Sequence, residues 1–269
     1  NDSLHCNNSR CAITVRTMST SAAGSGNEGE KYEWKPPAKV ENLYPVLAGN
    51  KFSTNKPTAG PQSQEALPKG EAALQLYSLA TPNGQKIGIL LEELADAKGV
   101  DYDAHYIRID GPQFTSGFVE VNPNSKIPCL VDRLPADGGL PINLFESGSI
   151  AIYLAEKHEA LIPKDVRGKA ECLNWVMFQM GGQGPITGGG FGHFFAYAPA
   201  SLNRDYGVAR YGMDVKRMCS VLDRRLEGRR YICGDEYTIA DIMLFPWFRT
   251  LRENGYKHSS GVGSKDFLS

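Results

Sequence analysis

The chain reads Asn122-Pro123-Asn124-Ser125-Lys126-Ile127-Pro128 immediately before the apolar run Cys129-Leu130-Val131, and this stretch decides the fold that we expect. The apolar run predicts a β-strand. A proline at a strand entrance cannot donate a hydrogen bond to the neighbouring strand, so the backbone of Ile127 beside it is available to another partner. That partner could be the backbone of a ligand. Alternatively, Pro128 is an ordinary strand-edge proline and the Ile127 backbone has no ligand to bind.

A second stretch, Phe145-Glu146-Ser147-Gly148-Ser149-Ile150, begins a helical pattern in which Ser147 is expected to be the N-cap. The start of a helix offers unpaired amides and a partial positive charge that suit a carboxylate. Glu146 beside it would attract an ammonium. A group with both an α-amine and an α-carboxylate would satisfy both, and the γ-glutamyl end of glutathione is such a group. Taken alone, Ser147 also fits an ordinary helix cap.

A third stretch, Thr81-Pro82-Asn83, marks the predicted start of the first helix. Thr81 is a plausible N-cap, and Pro82 suits the first helical position, where its missing amide costs nothing. Asn83 is a weak helix former, so this position is either a tolerant exposed turn or one that needs the amide side chain. A thiol held over this helix end would meet unpaired amides, the Thr81 hydroxyl and the Asn83 amide, which all favour the thiolate.

The hydrophobic pattern alternates strand and helix before residue 160 and is helical after it. Strands are expected at 74–79, 102–109, 129–132 and 142–145, with a helix after the first strand and another after the last. This βαβ and ββα order is that of a thioredoxin-like domain, and right-handed crossover makes its first two strands parallel. Helices are expected at 170–180, 203–226 and 239–253, so the C-terminal domain should be all-helical.

Composition divides the chain further and excludes some functions. Residues 1–31 are poor in large apolar side chains and are expected to be a disordered tail, followed by an extended arm at 32–70, a thioredoxin-like domain at 71–160 and a helical domain at 166–269. The net charge of −1 does not favour nucleic acid or an anionic membrane as partner. No apolar run approaches the roughly 20 residues of a membrane span, which predicts a soluble protein.

Cysteine usage points to a reducing compartment. The chain has six scattered cysteines that form neither a CxxC pair nor a metal-ligand cluster, so we expect a cytoplasmic protein without a metal: Cys6, Cys11, Cys129, Cys172, Cys219 and Cys233. The Gly-rich segment 188–197 lacks the Lys-Ser/Thr of a phosphate loop, and we expect it to form a close-packed helix bend at an apolar pocket. His193 within it has no evident base partner and is expected to be structural or pocket-lining. Thr238 and Asp241 predict a capped helix start.

Four motifs in this order, TPNGQK at 81–86, NPNSKIP at 122–128, FESGSI at 145–150 and GDEYTIAD at 234–241, resemble the cytosolic glutathione S-transferases. The resemblance is to the nu-class, disulfide-bond-reductase-like branch related to the yeast nitrogen-catabolite regulator. It implies a glutathione-dependent disulfide-bond oxidoreductase that uses the thiolate of bound glutathione for thiol-disulfide exchange. The alternatives are a transferase that conjugates glutathione to electrophiles and a non-catalytic glutathione-binding regulatory protein.

The resemblance also implies a site. Thr81 and Asn83 would hold the glutathione sulfur, and no cysteine lies near them to form a mixed disulfide with glutathione. Glutathione binding would involve seven further residues, with Lys126 and Arg210 at carboxylates, Ile127 at the cysteinyl backbone, and Glu146 and Ser147 at the γ-glutamyl head: Asn55, Gln113, Lys126, Ile127, Glu146, Ser147 and Arg210.

The family further implies a cis peptide bond between Ile127 and Pro128, and a homodimer whose site holds two glutathiones or glutathione disulfide, with small disulfides as substrates. A polar contact made by relatives falls on either Gln179 or Met180. One residue of slip decides between these two, and the sequence leaves the choice open.

Overall fold

The computed structural model describes residues 58–199 and 203–269, together with Lys35, Ala38 and Lys39. All helices and strands described below belong to the unit formed by residues 39–269. The predicted disordered tail at 1–31 and the predicted site residue Asn55 lie outside the described residues.

A four-stranded sheet forms the first half of the described chain, with the order β2-β1-β3-β4. The strands are β1 (Leu74–Ser78), β2 (Tyr102–Tyr106), β3 (Cys129–Asp132) and β4 (Ile142–Phe145). β1 pairs parallel with β2 and antiparallel with β3, and β4 pairs antiparallel with β3. The predicted thioredoxin-like order and the parallel first pair are therefore confirmed.

Two strands end earlier than predicted, and both do so for the same reason. β1 ends at Ser78 rather than 79, and β2 ends at Tyr106 rather than 109. The amide of Ile107 donates the last cross-strand hydrogen bond, to the Ser78 carbonyl at 2.8 Å. Beyond Ser78 the chain turns into a helix, so the apolar residues that follow Tyr106 have no strand to pair with.

In the described chain, three α-helices and one short 3-10 helix (Pro112–Phe114) accompany the sheet. The α-helices are α1 (Pro82–Lys98), α2 (Ser116–Val121) and α3 (Ser147–Lys157). Thr81 caps α1 as predicted, since its hydroxyl accepts the amide of Gly84 at 3.2 Å. Gly84 lets α1 start directly against β1, because a Cβ there would lie 1.9 Å from the Leu79 carbonyl oxygen. The short α2 was not predicted. It lies beside the extended residues that precede β1, where the Gly117 amide donates to the Glu65 carbonyl at 2.9 Å.

The second half of the described chain is helical, as predicted. It contains α4 (Val166–Phe178), two π-helical segments (Gln179–Gln183 and Pro185–Tyr197), α5 (Asp205–Leu226), α6 (Ile239–Arg252) and the short α7 (Ser264–Leu268). Among residues 58–199 and 203–269, no helix is both long and apolar enough to cross a bilayer.

The glycines of the second π-helical segment bring it close to its neighbours. A Cβ on Gly188 would lie 2.4 Å from the Trp247 ring of α6, so the ring packs where a side chain would otherwise stand. Phe191 of the same segment is fully buried. The predicted close packing is therefore confirmed. The segment is a π-helix, whose repeat differs from the 3.6-residue period on which the sequence prediction of helices rests.

One hydrophobic core joins the sheet to the helical half. Leu90 and Leu94 of α1, Leu154 of α3, and Ile242 and Met243 of α6 are fully buried members of it. The start of α6 is held by the predicted cap, in which the Asp241 carboxylate accepts the amides of Thr238 at 3.1 Å and of Ile232 at 2.9 Å. This packing holds α6 against α1 and α3.

Candidate active site

A cavity of about 560 Å³ opens where the starts of α1 and α3 meet α6 and the π-helical segments. Its walls include two of the predicted site residues and four side chains from elsewhere in the fold: Asn83, Lys86, Glu146, Gln179, His193 and Trp247. A larger cavity of about 740 Å³ lies between residues 64–69 and the sheet, but none of the predicted site residues in the described chain lines it. The smaller cavity is therefore the candidate active site.

The start of α1 presents Asn83 to this cavity in a fixed orientation. The indole nitrogen of Trp247 donates a hydrogen bond to Asn83 Oδ1 at 3.0 Å. An indole N–H is a donor only, so it must face the oxygen of the amide, and the NH₂ group lies on the opposite side. Asn83 is half-buried, and Thr81 beside it is half-buried at the helix cap. The tertiary fold thus leaves Asn83 with hydrogen-bond donors to offer to a ligand.

Tyr77, one strand earlier, does not compete for this role. It is buried within β1, and its hydroxyl donates to the Pro68 carbonyl at 2.8 Å. Burial raises the pKa of its phenol. A buried, hydrogen-bonded phenol of raised pKa is a poor source of either a proton or a phenolate.

The start of α3 differs from the prediction by one residue. Glu146, not Ser147, is the residue that precedes the helix, and Ser147 is already helical. Glu146 has φ +65° and ψ 116°, so its own side chain makes no capping hydrogen bond and lines the cavity instead. The expected N-cap at Ser147 is therefore wrong. The helix begins one residue earlier than predicted because Glu146 adopts a positive φ. Non-glycine residues rarely do so, and the sequence therefore gave no sign of it.

Ser147 is buried and takes part in a polar contact that the sequence did not suggest. Its Oγ accepts a hydrogen bond from Lys86 Nζ at 3.2 Å, and it lies 3.3 Å from Met180 Sδ.

The peptide bond between Ile127 and Pro128 is cis, as the resemblance implied. It lies at the entrance to β3, the strand between β1 and β4.

Lys86, like Trp247, is a site residue that the sequence did not predict. It belongs to the TPNGQK motif, but it is fully buried and lines the cavity. Its Nζ also donates to Gln179 Oε1 at 2.5 Å. Burial lowers the pKa of the ammonium to about 7, and the charge of Glu146 opposes that shift. Its position in the sequence could have indicated this role. Lys86 follows Asn83 by three residues and precedes Leu90 by four, so the three side chains lie on one face of the helix.

Gln179 and Met180 both reach the site, so the choice between them has no single answer. Gln179 is fully buried and connects Lys86 to Gln183, whose Oε1 accepts the Gln179 amide at 3.1 Å. Met180 contributes its sulfur beside Ser147 and Lys86. His193 lines the cavity, in agreement with the expected pocket-lining role.

Of the eight predicted site residues in the described chain, six are not among the cavity-lining residues: Thr81, Gln113, Lys126, Ile127, Ser147 and Arg210. The side chain of Gln113 is buried in the 3-10 helix Pro112–Phe114, where Nε2 donates to the Ile109 carbonyl at 2.6 Å and Oε1 accepts the Gly111 amide at 2.9 Å. Arg210 lies on the exposed side of α5 and pairs with Asp214 at 3.2 Å. Lys126 is exposed, and its carbonyl accepts from Asn122 Nδ2 at 2.5 Å. Their roles in ligand binding stay predictions.

A thioredoxin-like sheet domain joined to a helical domain, with the starts of two helices at one shared cavity, defines the architecture of the glutathione transferases. Sequence models of that family agree, since the glutathione S-transferase N-terminal domain matches residues 81–157 and the C-terminal domain matches residues 205–265. The chain belongs to the glutathione S-transferase family.

Individual relatives support the narrower resemblance to the disulfide-bond-reductase-like branch. The disulfide-bond oxidoreductase YghU of Escherichia coli is 49% identical over 215 residues, which cover 79% of this chain and 73% of that protein. A crystal structure of glutathione transferase YghU from Streptococcus pneumoniae, complexed with glutathione, is 44% identical with a TM-score of 0.78 and covers 88% of this chain and 87% of that one. A glutathione transferase from Pseudomonas putida with one glutathione disulfide bound per subunit is 43% identical with a TM-score of 0.64, over 69% of this chain and 78% of that one.

Proposed function

We propose that this protein is a glutathione-dependent disulfide-bond oxidoreductase. The thiolate of bound glutathione attacks one sulfur of a small disulfide, the sulfur–sulfur bond breaks, and the departing thiolate takes a proton from solvent. A second glutathione thiolate then attacks the glutathione sulfur of the mixed disulfide. The products are two substrate thiols and one glutathione disulfide, so the substrate is reduced and two glutathiones are oxidised.

The orientation of Asn83 carries this proposal. Because Trp247 occupies Asn83 Oδ1, the amide donors remain for a sulfur placed over the start of α1. The unpaired amides of the first helical turn and the Thr81 hydroxyl also direct positive partial charge at this sulfur. Each of them favours the thiolate over the thiol. The protein supplies no cysteine at this point, so glutathione itself is the nucleophile.

Glutathione lies along the two helix starts in this proposal. Its sulfur is held by Thr81 and Asn83, its γ-glutamyl head by Glu146 and Ser147, and its cysteinyl backbone by Ile127. Gln113, Lys126, Arg210 and Asn55 are proposed as outer contacts. Residues 71–160 are the proposed glutathione-binding domain, and the helical residues 166–269 cover it.

We propose further that the active form is a cytoplasmic homodimer that binds glutathione, glutathione disulfide and small disulfides. A family member of this kind pairs the sheet domain of one subunit with the helical domain of its partner. Sedimentation velocity at micromolar concentration should therefore give a dimer. A monomer at all concentrations up to that range would contradict this part of the proposal.

The function is tested with purified protein, glutathione and hydroxyethyl disulfide, with glutathione disulfide followed through glutathione reductase and NADPH. We expect turnover well above the uncatalysed exchange rate. A parallel assay with chlorodinitrobenzene measures conjugation, which uses the same thiolate and should be the slower activity. A protein that binds glutathione but does not accelerate disulfide reduction would refute the proposed reaction.

A further inference from the structure

The ammonium of Lys86 lies fully buried in the wall of the candidate active site, at the junction of three segments. It starts from α1 and contacts Ser147 at the start of α3 and Gln179 and Met180 at the start of the first π-helical segment. All three of these partners are uncharged. A buried ammonium whose near partners are neutral is costly, since hydrogen bonds to neutral groups replace only part of its hydration.

The groups that can respond to this charge surround the same cavity. From the start of α3, Glu146 attracts Lys86 through space. From the second π-helical segment, His193 and Tyr197 line the cavity, and burial raises the pKa of Tyr197. The walls contributed by α1 and α6 are the neutral side chains of Asn83 and Trp247.

The contact with Ser147 sets the direction in which that hydroxyl can donate. An ammonium has donors only, so Ser147 Oγ must accept from Lys86, and its own proton points elsewhere. The nearest partner for that proton is Met180 Sδ at 3.3 Å, and a thioether is a weak acceptor. A ligand carboxylate at the start of α3 is a much stronger acceptor and would take this hydrogen bond.

We propose that Lys86 is the positioning residue and built-in counter-charge for the γ-glutamyl carboxylate of glutathione, and that the protein takes up a proton at Lys86 when this carboxylate binds. This inference rests on the proposed function, because it assumes that glutathione occupies the start of α3. It adds a residue and a linked proton that the predicted site did not contain.

The pH dependence follows from the sign of the shift. Burial lowers the pKa of Lys86 to about 7 in the ligand-free protein, so the amine is mostly neutral at pH 8 and mostly charged at pH 6. A bound carboxylate favours the charged form and raises the pKa of the amine. Binding therefore takes up close to one proton at pH 8 and almost none at pH 6. Affinity is then about tenfold weaker at pH 8 than at pH 6, since the proton must be acquired first.

The test is isothermal titration calorimetry with S-methylglutathione, which has no thiol to titrate. Comparing phosphate and Tris at the same pH converts the difference in apparent enthalpy into the number of protons taken up. For the wild-type protein we expect uptake to rise between pH 6 and pH 8, with the tenfold change in dissociation constant. Lys86→Gln should remove the part of the uptake that is due to Lys86, and the ligand's own amine contributes equally to both proteins.

Lys98→Gln is the matched control, because Lys98 is exposed in the last turn of the same helix. It should retain the wild-type uptake. Wild-type binding without pH-dependent proton uptake, or uptake that Lys86→Gln leaves unchanged, would overturn the inference while leaving the proposed function intact. If Lys86→Gln does not fold, Lys86→Met, which keeps the length of the apolar stem, is titrated in its place. Absence of S-methylglutathione binding at every pH would overturn both proposals.

Discussion

Replacing Asn83 by alanine is the perturbation that tests the proposed chemistry most directly. The variant removes the amide donors that Trp247 leaves facing the cavity, but it leaves Lys86, Glu146 and Ser147 in place. A hydrogen bond to a charged group contributes about 1.5 to 3 kcal/mol, which corresponds to a loss of roughly 10- to 150-fold in kcat if the bond acts mainly in the transition state. The affinity for glutathione should change much less.

Two further substitutions separate the role of the donors from general disturbance. Asn83→Asp keeps an acceptor for the Trp247 indole but places a carboxylate where the donors were, so it should be at least as damaging as alanine. Trp247→Phe removes the neutral hydrogen bond that orients the amide, worth about 0.5 to 1.5 kcal/mol or roughly 2- to 13-fold in kcat. In an Asn83→Ala background, Trp247→Phe should have little additional effect.

The assay is glutathione-dependent reduction of hydroxyethyl disulfide, with kcat and KM determined separately and folding checked by circular dichroism. Gln85→Ala is the matched control, since this neighbouring amide donates to the Ala80 carbonyl at 3.2 Å and is not among the cavity-lining residues. Full activity of Asn83→Ala, or full activity of Asn83→Asp, would show that the thiolate is stabilised without the amide and would refute the reasoning.

Three other predictions concern the head-group site, a thiol and a helix cap. Glu146→Ala should raise the dissociation constant for glutathione with a smaller effect on kcat, because its carboxylate is proposed to hold the γ-glutamyl amine; unchanged binding in calorimetry would contradict that role. A hydrogen bond from Cys172 lowers the pKa of the Cys233 thiol, whereas Cys172 and Cys129 are buried with raised pKa values. Iodoacetamide at neutral pH should therefore label Cys233 before either of them, and more slowly as the pH is lowered and the thiolate is protonated. Timed labelling and peptide mass spectrometry measure this, and equal labelling of Cys172 would count against it. Thr238→Ala should lower the free energy of unfolding by about 0.5 to 2 kcal/mol through loss of the α6 cap, and Thr238→Ser should be much closer to wild type. Denaturant unfolding measures both variants. An unchanged midpoint for the alanine variant would argue that the cap is not stabilising.

The sequence by itself determined the features that depend on neighbouring residues. The cap at Thr81, the cap at Thr238 with Asp241, and the strands Cys129–Asp132 and Ile142–Phe145 were all predicted correctly. Each depends on local chemistry: a side-chain oxygen beside unpaired helical amides, or a short apolar run bounded by turn residues. The order of these elements was enough to give a thioredoxin-like domain followed by helices.

Tertiary structure alone decided which side chains meet at the candidate site. Lys86 contacts Ser147 and Gln179, which are 61 and 93 residues away along the chain, and Asn83 pairs with Trp247 across 164 residues. No local pattern encodes such pairs, because they depend on how α6 and the first π-helical segment pack against α1. The positive φ of Glu146 has the same origin, since a strained backbone persists only where the surrounding structure holds it.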